Sequence, residues 1–454
     1  MTFPGLASEP SRDSEAEHAD HYADHYAERL AGVNADHEVV STTDILNANG
    51  VVLVRKGARI DASVAERILR HKLIKPLDQQ VVIADGLDAT RLGERFIALQ
   101  AKYPDLDRLH SALGSVELCR ELAGHDGYHP LLWQKLTVLE HQLPAEFEKG
   151  LFCAGLCALV ARELKLTREN IGAAFLAGLM HDVGLLHIAP GILSKQAPLT
   201  PPEWRAIQSH VVTGRMLLDN IPGVPAAAAR AVLEHHERCD NTGYPRGSGE
   251  EQLGLLGQVV AIADGAQAIR VHQFERLGRN LYDMLPYLNL NAYTYFYAVF
   301  QAMVSVLKRS GLTATIADPY GGAAAMAQRL QQRGSALQQA VGHLHSMVEE
   351  LETLPVQGRG QHLLRSARRV QTMMVSSGLI RDELLAWLAG LGAEPDLAAM
   401  AELNEIDLLQ NELRWQIRNL LRAFGEFYDL ECHGGCGALA GYAERLRDCL
   451  ESAH

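Results

Sequence analysis

The sequence predicts a mainly α-helical protein in three parts: a small α+β domain near the N-terminus, a central all-α domain and a C-terminal helical bundle. Helix-length segments with definable ends dominate from about residue 145 to 308. Short β-branched runs are confined to residues 38–85, and beyond about 320 heptad-like apolar spacing recurs between glycine- and proline-rich breaks. At 454 residues the chain is about three times the ~150-residue prior for one domain, so several cores are expected. The boundaries drawn are 1–30 for a disordered acidic tail, 31–140 for the N-terminal α+β and helical part, 141–308 for the central domain and 320–454 for the bundle.

Asn47-Ala-Asn-Gly50 is turn chemistry and leads into Val51-Val-Leu-Val54, which predicts strand, turn, strand. Ser63 and Glu66 form a capping-box pattern before a short helix reaching Leu73, and Val81-Val-Ile83 is a further strand. Residues 90–140 are irregularly helical, with a turn at His125-Asp-Gly-Tyr-His-Pro130. Thr200-Pro201-Pro202-Glu203 joins an N-cap threonine, proline at the first helical position and glutamate at N3, opening a helix that carries Trp204, Ile207 and His210. Pro225 opens a helix over 226–238, with His235 and His236 in its last turns. A third helix, about 253–270, sets Asp264 among Val259, Val260, Ile262, Ala263 and Ala266, and a carboxylate buried there needs a cation. Farther on, Leu337, Val341, Leu344, Val348 and Leu351 follow a 4,3,4,3 spacing, and Ile406, Leu409, Leu413, Ile417, Leu420, Phe424 and Phe427 nearly do. Such stripes suit a packed antiparallel bundle first and an interface in a homodimer second.

Hydrophobic residues at 47% and charged residues at 21% are ordinary globular composition. Forty-two basic against 55 acidic residues leave a charge of −13, which disfavours nucleic acid and anionic lipid as partners, so an anionic substrate needs metal ions or local arginines. The first thirty residues lack both a basic start and an apolar run, unlike a signal or transit peptide. The apolar stretches 151–161 and 171–180 fall short of the roughly 20 residues that span a bilayer, and polar residues interrupt 287–307. The expectation is a cytoplasmic protein without a membrane partner. Seven cysteines without an export signal argue against a disulfide framework. Cys432-His-Gly-Gly-Cys436 has a spacing allowed for zinc, but no second ligand pair is nearby.

The chemistry concentrates in the central part. His181-Asp182, His210, His235-His236 and Asp264 are separated by one helix and one connection each, so successive helices can deliver them to a shared centre. Imidazole and carboxylate suit iron, manganese, nickel or zinc. An aspartate beside a histidine can bridge two cations, and two metals some ~3.5–4 Å apart clamp a phosphodiester and lower the pKa of a water toward about 7. Taken singly the residues have blander readings: a histidine pair at a helix end complements the helix dipole, and Asp264 pairs with an arginine. Together, on consecutive helices, they point to a metal centre.

The runs Leu179-Met-His181-Asp182-Val-Gly184, Glu234-His235-His236-Glu237-Arg238-Cys-Asp240-Asn-Thr-Gly243-Tyr244-Pro245-Arg246-Gly247 and Ala261-Ile-Ala-Asp264 resemble the HD-GYP family in order and spacing. The resemblance covers about 160 residues. It implies an all-helical HD-type domain that hydrolyses cyclic di-GMP to the linear dinucleotide and GMP. It also implies two divalent transition-metal ions, iron or manganese before zinc or nickel. The implied ligands are His181, Asp182, His210, His235, His236 and Asp264, with His181 and Asp182 catalytic and Asp182 the bridge. Gly243, Tyr244 and Pro245 form the signature loop, through which diguanylate cyclase-type or other signalling proteins would dock, and Arg238, Asp240 and Arg246 belong to it, with an Arg238–Asp240 salt bridge as its staple.

Three positions depart from the family. Leu185 stands where a lysine usually contacts a substrate phosphate, with Lys149, Lys195 and Arg246 as candidate substitutes. The helix over 146–162 has no histidine for an outer metal; Lys149 falls near that position, and Glu146 and Glu148 are the remaining third-metal candidates. Asn241 follows Asp240 where glycine is usual, a change that a left-handed turn tolerates. A catalytically weak protein acting as a cyclic di-GMP sensor or scaffold is therefore the alternative expectation.

Overall fold

A computed structural model describes residues 25–125, 127–274, 277–392, 396–431 and 437–451. The Cys432/Cys436 pair and most of the acidic tail lie outside the described residues. The tail was expected to run to residue 30, but Tyr26–Val33 is a helix, because Tyr26, Ala27, Leu30 and Val33 recur on one face and are buried.

The chain divides into two compact units: one holds the residues up to Leu99 with Cys119–Gly155 and Ala173–Leu233, the other Gln100–Leu118, Leu156–Gly172 and the residues from Glu234 onward. In the first, the strands Val39–Ser41 and Val81–Ile83 pair antiparallel, and so do Ile45–Leu46 and Val52–Val54 across the turn at Gly50, whose φ of 78° suits glycine. The helix Ala62–Leu69 is capped by Asp61, whose carboxylate accepts from the Val64 amide at 2.9 Å. Ser63 was the expected cap, but its hydroxyl is spent on Asp61 and Glu66 pairs with Arg70. The helix Pro130–Gln142 backs this small domain: Gln134 donates to the carbonyls of Asp78 and Val81, and the fully buried Lys135 ammonium lies 2.9 Å from Asp78 and 3.5 Å from the Tyr26 ring centroid.

The capping box at Thr200 and Glu203 forms as expected, but its helix, Pro201–Gln208, stops at Ser209. His210 is therefore the first residue of the helix His210–Asp219 rather than a late residue of the one before.

In the second unit, the helices Ala323–Thr353, Gly358–Ser376, Asp382–Gly390, Leu397–Glu431 and Gly437–Glu451 share one core. Leu337, Leu344, Val348, Leu351, Ile406, Leu413, Ile417, Leu420, Phe424 and Phe427 all contribute to it, with Val341 and Leu409 packed at its edge, so the bundle consumes its own stripes. Asp407 is buried between helices and is matched by Arg333 Nη1 at 3.0 Å, Arg279 Nη2 at 3.2 Å and the Tyr320 hydroxyl at 2.7 Å. No helix among the described residues is long and apolar enough to cross a membrane.

His110, in the helix Pro104–Ala112, shows how such burial reads out in solution. Burial, then the Arg162 charge, push its imidazole down to about 4 from an ordinary 6.5. The fold thus favours the neutral ring; its contribution is complete above pH 6.5 and is lost as pH falls toward 4. Chemical denaturation between pH 7 and 4 is expected to show a loss of about 1.4 kcal/mol for each unit separating the two values, with the His110 ring resonances unchanged until near pH 4. Titration of that ring near pH 6.5 would sink the assignment.

Candidate metal centre and signature loop

His181 and Asp182 lie between the helix Arg168–Met180 and the 3-10 turn Val183–His187. Glycine is required on both sides of them. A Cβ on Gly184 would stand 2.0 Å from the His210 carbonyl oxygen, and one on Gly150 would stand 2.6 Å from that of Leu179. These close approaches bring His210 and the helix Pro144–Glu163 against the pair.

His181, Asp182 and His210 are all buried. His181 Nδ1 is 2.8 Å from the Gly178 carbonyl oxygen and His210 Nδ1 is 2.7 Å from that of Ile207. A carbonyl oxygen only accepts, so each Nδ1 carries a proton and each ring turns Nε2 toward Asp182. Those Nε2 atoms lie 3.0 Å from Oδ2 and 3.2 Å from Oδ1. Neutral rings would set lone pairs against carboxylate oxygens, so the arrangement calls for added positive charge, as ring protons or as a metal ion. Buried imidazole nitrogens beside a carboxylate, each ring oriented by a peptide carbonyl behind it, form a donor set that fits a divalent transition metal.

A further cation is built in. Lys149 Nζ is 2.8 Å from Asp182 Oδ2. Burial alone would raise the Asp182 carboxyl, but His181 and Lys149, with hydrogen bonds from His181 and His210, hold it well below the usual carboxylate range. Glu146, one turn before Lys149, is raised, by burial first and then by the Asp182 charge. Glu146 and Glu148 are both half-buried, and Glu146 is a third-metal candidate that meets Asp182. Lys195 is committed elsewhere, at 2.6 and 2.7 Å from the two oxygens of the capping Glu203. Leu185 is buried in the 3-10 turn.

The remaining candidates gather in the second unit. The helix Ala226–Glu234 ends before His235 and His236, not after them. The chain folds back at Gly243, where a Cβ would come within 2.4 Å of the Glu237 Cα and the His236 carbonyl oxygen. His236 Nδ1 is 3.8 Å from Asp264 Oδ2, and its ring stacks on Tyr244 at 4.6 Å and lies 4.0 Å from the His235 ring. Asp264, inside the helix Leu255–Ile269, is buried as expected, and His236 faces it.

The loop is held by groups that the motif does not include. Glu237, almost wholly buried, accepts from the amides of Arg246 at 2.7 Å and Ser248 at 3.0 Å; burial raises its carboxyl despite these bonds. Glu234 accepts from the Gly254 amide at 2.7 Å. Asn241 adopts φ 62°, the left-handed turn expected of it, and donates to the Gly247 carbonyl. The Tyr244-Pro245 peptide is cis. The expected Arg238–Asp240 staple is replaced. Arg238 donates to the carbonyls of His235 and Glu237, while Asp240 accepts from Thr242 and faces Arg369 at 3.6 Å. Arg369, on the helix Gly358–Ser376, also donates to the Thr242 hydroxyl at 2.9 Å and to Gln416. No short-range signal could have placed it there.

Residues 135–297 match the family model described as HD domain. With the motifs above, they form an HD-GYP-like domain. Relatives point the same way: the chain is 40% identical over 117 residues to the cyclic di-GMP phosphodiesterase PA4108 of Pseudomonas aeruginosa, covering 26% of this chain and 28% of that protein. It is 30% identical over 178 residues to the 3'3'-cGAMP-specific phosphodiesterase 1 of Vibrio cholerae, covering 39% and 41%. A cyclic di-GMP phosphodiesterase of Thermotoga maritima is 33% identical over 115 residues, covering 25% and 31%. The chain thus spans less than half the length of these relatives.

Two substitutions test the geometry. Gly184→Ala forces a Cβ into backbone, and a loss of roughly 3 kcal/mol or more in urea unfolding is expected; wild-type stability would show that the turn does not depend on this approach. Lys149→Met leaves Asp182 with one cation fewer, so the metal-free protein is expected to lose roughly 3–5 kcal/mol, partly recovered on adding manganese. Equal stability of the two chelated proteins would count against the ion pair.

Proposed function

We propose that the chain is a metal-dependent phosphodiesterase that opens cyclic di-GMP to the linear dinucleotide and GMP. The observation that carries this is the buried His181-Asp182-His210 arrangement, with both Nδ1 atoms engaged by peptide carbonyls and both Nε2 atoms facing one carboxylate. The names of the relatives support a cyclic-dinucleotide substrate, with cyclic GMP-AMP as the competing one. Iron or manganese is favoured over zinc or nickel, and His181, Asp182, His210, His235, His236 and Asp264 are the residues that would hold two such ions. Bound there, such ions would supply Lewis acidity to the phosphodiester and lower the pKa of a bound water toward about 7.

The chain's own groups hold and orient. The peptide carbonyls of Gly178 and Ile207 keep the two rings in one tautomer and one orientation. Asp182 stays ionised against its burial because His181 and Lys149 face it. Tyr244, stacked on His236, ties the signature loop to that histidine, and Glu237 fixes the loop's return at Arg246 and Ser248. Loss of a lysine at Leu185 weakens substrate positioning and leaves the nucleophile chemistry untouched.

The second reading, a cyclic di-GMP sensor or scaffold, is favoured by the burial of Leu185 in an apolar turn and by the ion pair of Lys149 with Asp182. Protein purified anaerobically is expected to hold about two metals per chain and to turn over cyclic di-GMP, with Asp182→Ala abolishing both metal and turnover. Two metals with binding but no turnover would establish the sensor; absence of metal would overturn the ligand assignment.

A further inference from the structure

The helix Gly358–Ser376 is the most basic segment of an acidic chain: it carries four arginines and no acidic residue. Arg368 is neutralised by Glu352 at 2.7 Å on the exposed side. His362, Arg365 and Arg369 recur at i, i+3 and i+7 and so share another face. That face meets the signature loop. Arg369 binds Thr242 and faces Asp240, and Arg365 Nη2 lies 3.9 Å from where a Cβ of Gly247 would stand.

The charges on this face do not balance. Asp240 is the carboxylate opposing it, and its hydrogen bonds go to the Thr242 amide and hydroxyl. Arg365 has no hydrogen-bond or ion-pair partner among the described residues, although its side chain is half-buried and its Nε is shielded from solvent. Burial first, then Arg365 and Arg369, hold His362 below its ordinary range, as crowding of cations requires. A half-buried guanidinium without an anion is an expensive arrangement to keep. Its planar fork matches phosphate oxygens in pairs, and Gly247 leaves open the space beside it.

We propose that Arg365, with His362 beside it and Gly247 keeping the approach clear, forms an anion subsite that binds a phosphate group of the cyclic dinucleotide. This rests on the cyclic-dinucleotide reading above and adds a residue that lies outside the HD-type domain. Arg365 is a binding residue, and Arg369 positions the loop.

The test uses the full-length, manganese-loaded protein and three variants: Arg365→Gln, Arg365→Lys and Arg368→Gln. Calorimetric titration with cyclic di-GMP is expected to show Arg365→Gln weakening binding by roughly ten- to a hundredfold, as loss of one charge-assisted hydrogen-bonding group does. Arg365→Lys should recover part of that loss, and Arg368→Gln should match wild type. Metal content should stay unchanged in Arg365→Gln. Equal cyclic di-GMP affinity in wild type and Arg365→Gln would overturn the subsite while leaving the phosphodiesterase intact. An affinity loss matched by loss of metal would also overturn it, because the arginine would then be supporting the fold. Absence of cyclic di-GMP binding by the wild type itself would sink the cyclic-dinucleotide reading and the subsite together.

Discussion

A buried carboxylate facing two imidazoles, each with its Nδ1 proton committed to a peptide carbonyl, leaves no electrically neutral way to be comfortable. Asp182 sits between His181 and His210 in that state. The local backbone is shaped around keeping them there: Gly184 permits the turn to lie on the His210 carbonyl, and Gly150 permits the preceding helix to lie on Leu179. Such a cluster is costly to a protein that does nothing with it, because apolar side chains of the same volume would pack without a desolvation penalty. Its persistence is an argument for cation binding that does not depend on any motif.

Lys149 changes what the cluster can hold. An ammonium at 2.8 Å from Oδ2 supplies one positive charge permanently, on the oxygen that His181 also faces. The other oxygen, Oδ1, faces His210 at 3.2 Å. The carboxylate is thus asymmetric before any ion binds, and the Glu146 carboxyl near it is raised by burial first and then by the Asp182 charge. Charge balance alone limits how many divalent ions the His181-Asp182 end can accept, and the limit is set by residues on one helix turn rather than by the histidines.

What the sequence made legible was what local chemistry decides. The Thr200 and Glu203 capping box, the Asn47-to-Gly50 hairpin, the left-handed Asn241 and the core stripes of the bundle all rest on residues within a few positions of each other. Errors arose where two local solutions compete or where a distant segment intervenes. Asp61 and Ser63 are both caps, and the stronger acceptor took the Val64 amide. The helix breaks at Ser209 and Glu234 put His210 and His235 at helix ends, where a side chain is free of the helix wall; periodicity carries no information about a break set by packing of Gly184 and Gly243. The arginine at Asp240 is 129 positions farther along the chain, and Arg238 was the nearer but mistaken choice.

That long-range arginine bears on what the bundle is for. A helix that only packed against a loop would present a balanced or apolar face, as the rest of the bundle does with Leu363, Ala367, Val370 and Met374 in its core. Instead the same helix turns His362, Arg365 and Arg369 toward the loop, and the loop answers with one carboxylate and a glycine. In a chain of net charge −13, concentrating uncompensated arginine on one buried-to-exposed boundary weakens the apo fold, and a bound anion offsets that cost by the free energy it contributes to the native state. Ligand and bundle would then stabilise each other through the loop, so that any change in the packing of Gly358–Ser376 is felt at Asp240 and Thr242, and through the loop backbone at Tyr244 and the His236 ring it covers.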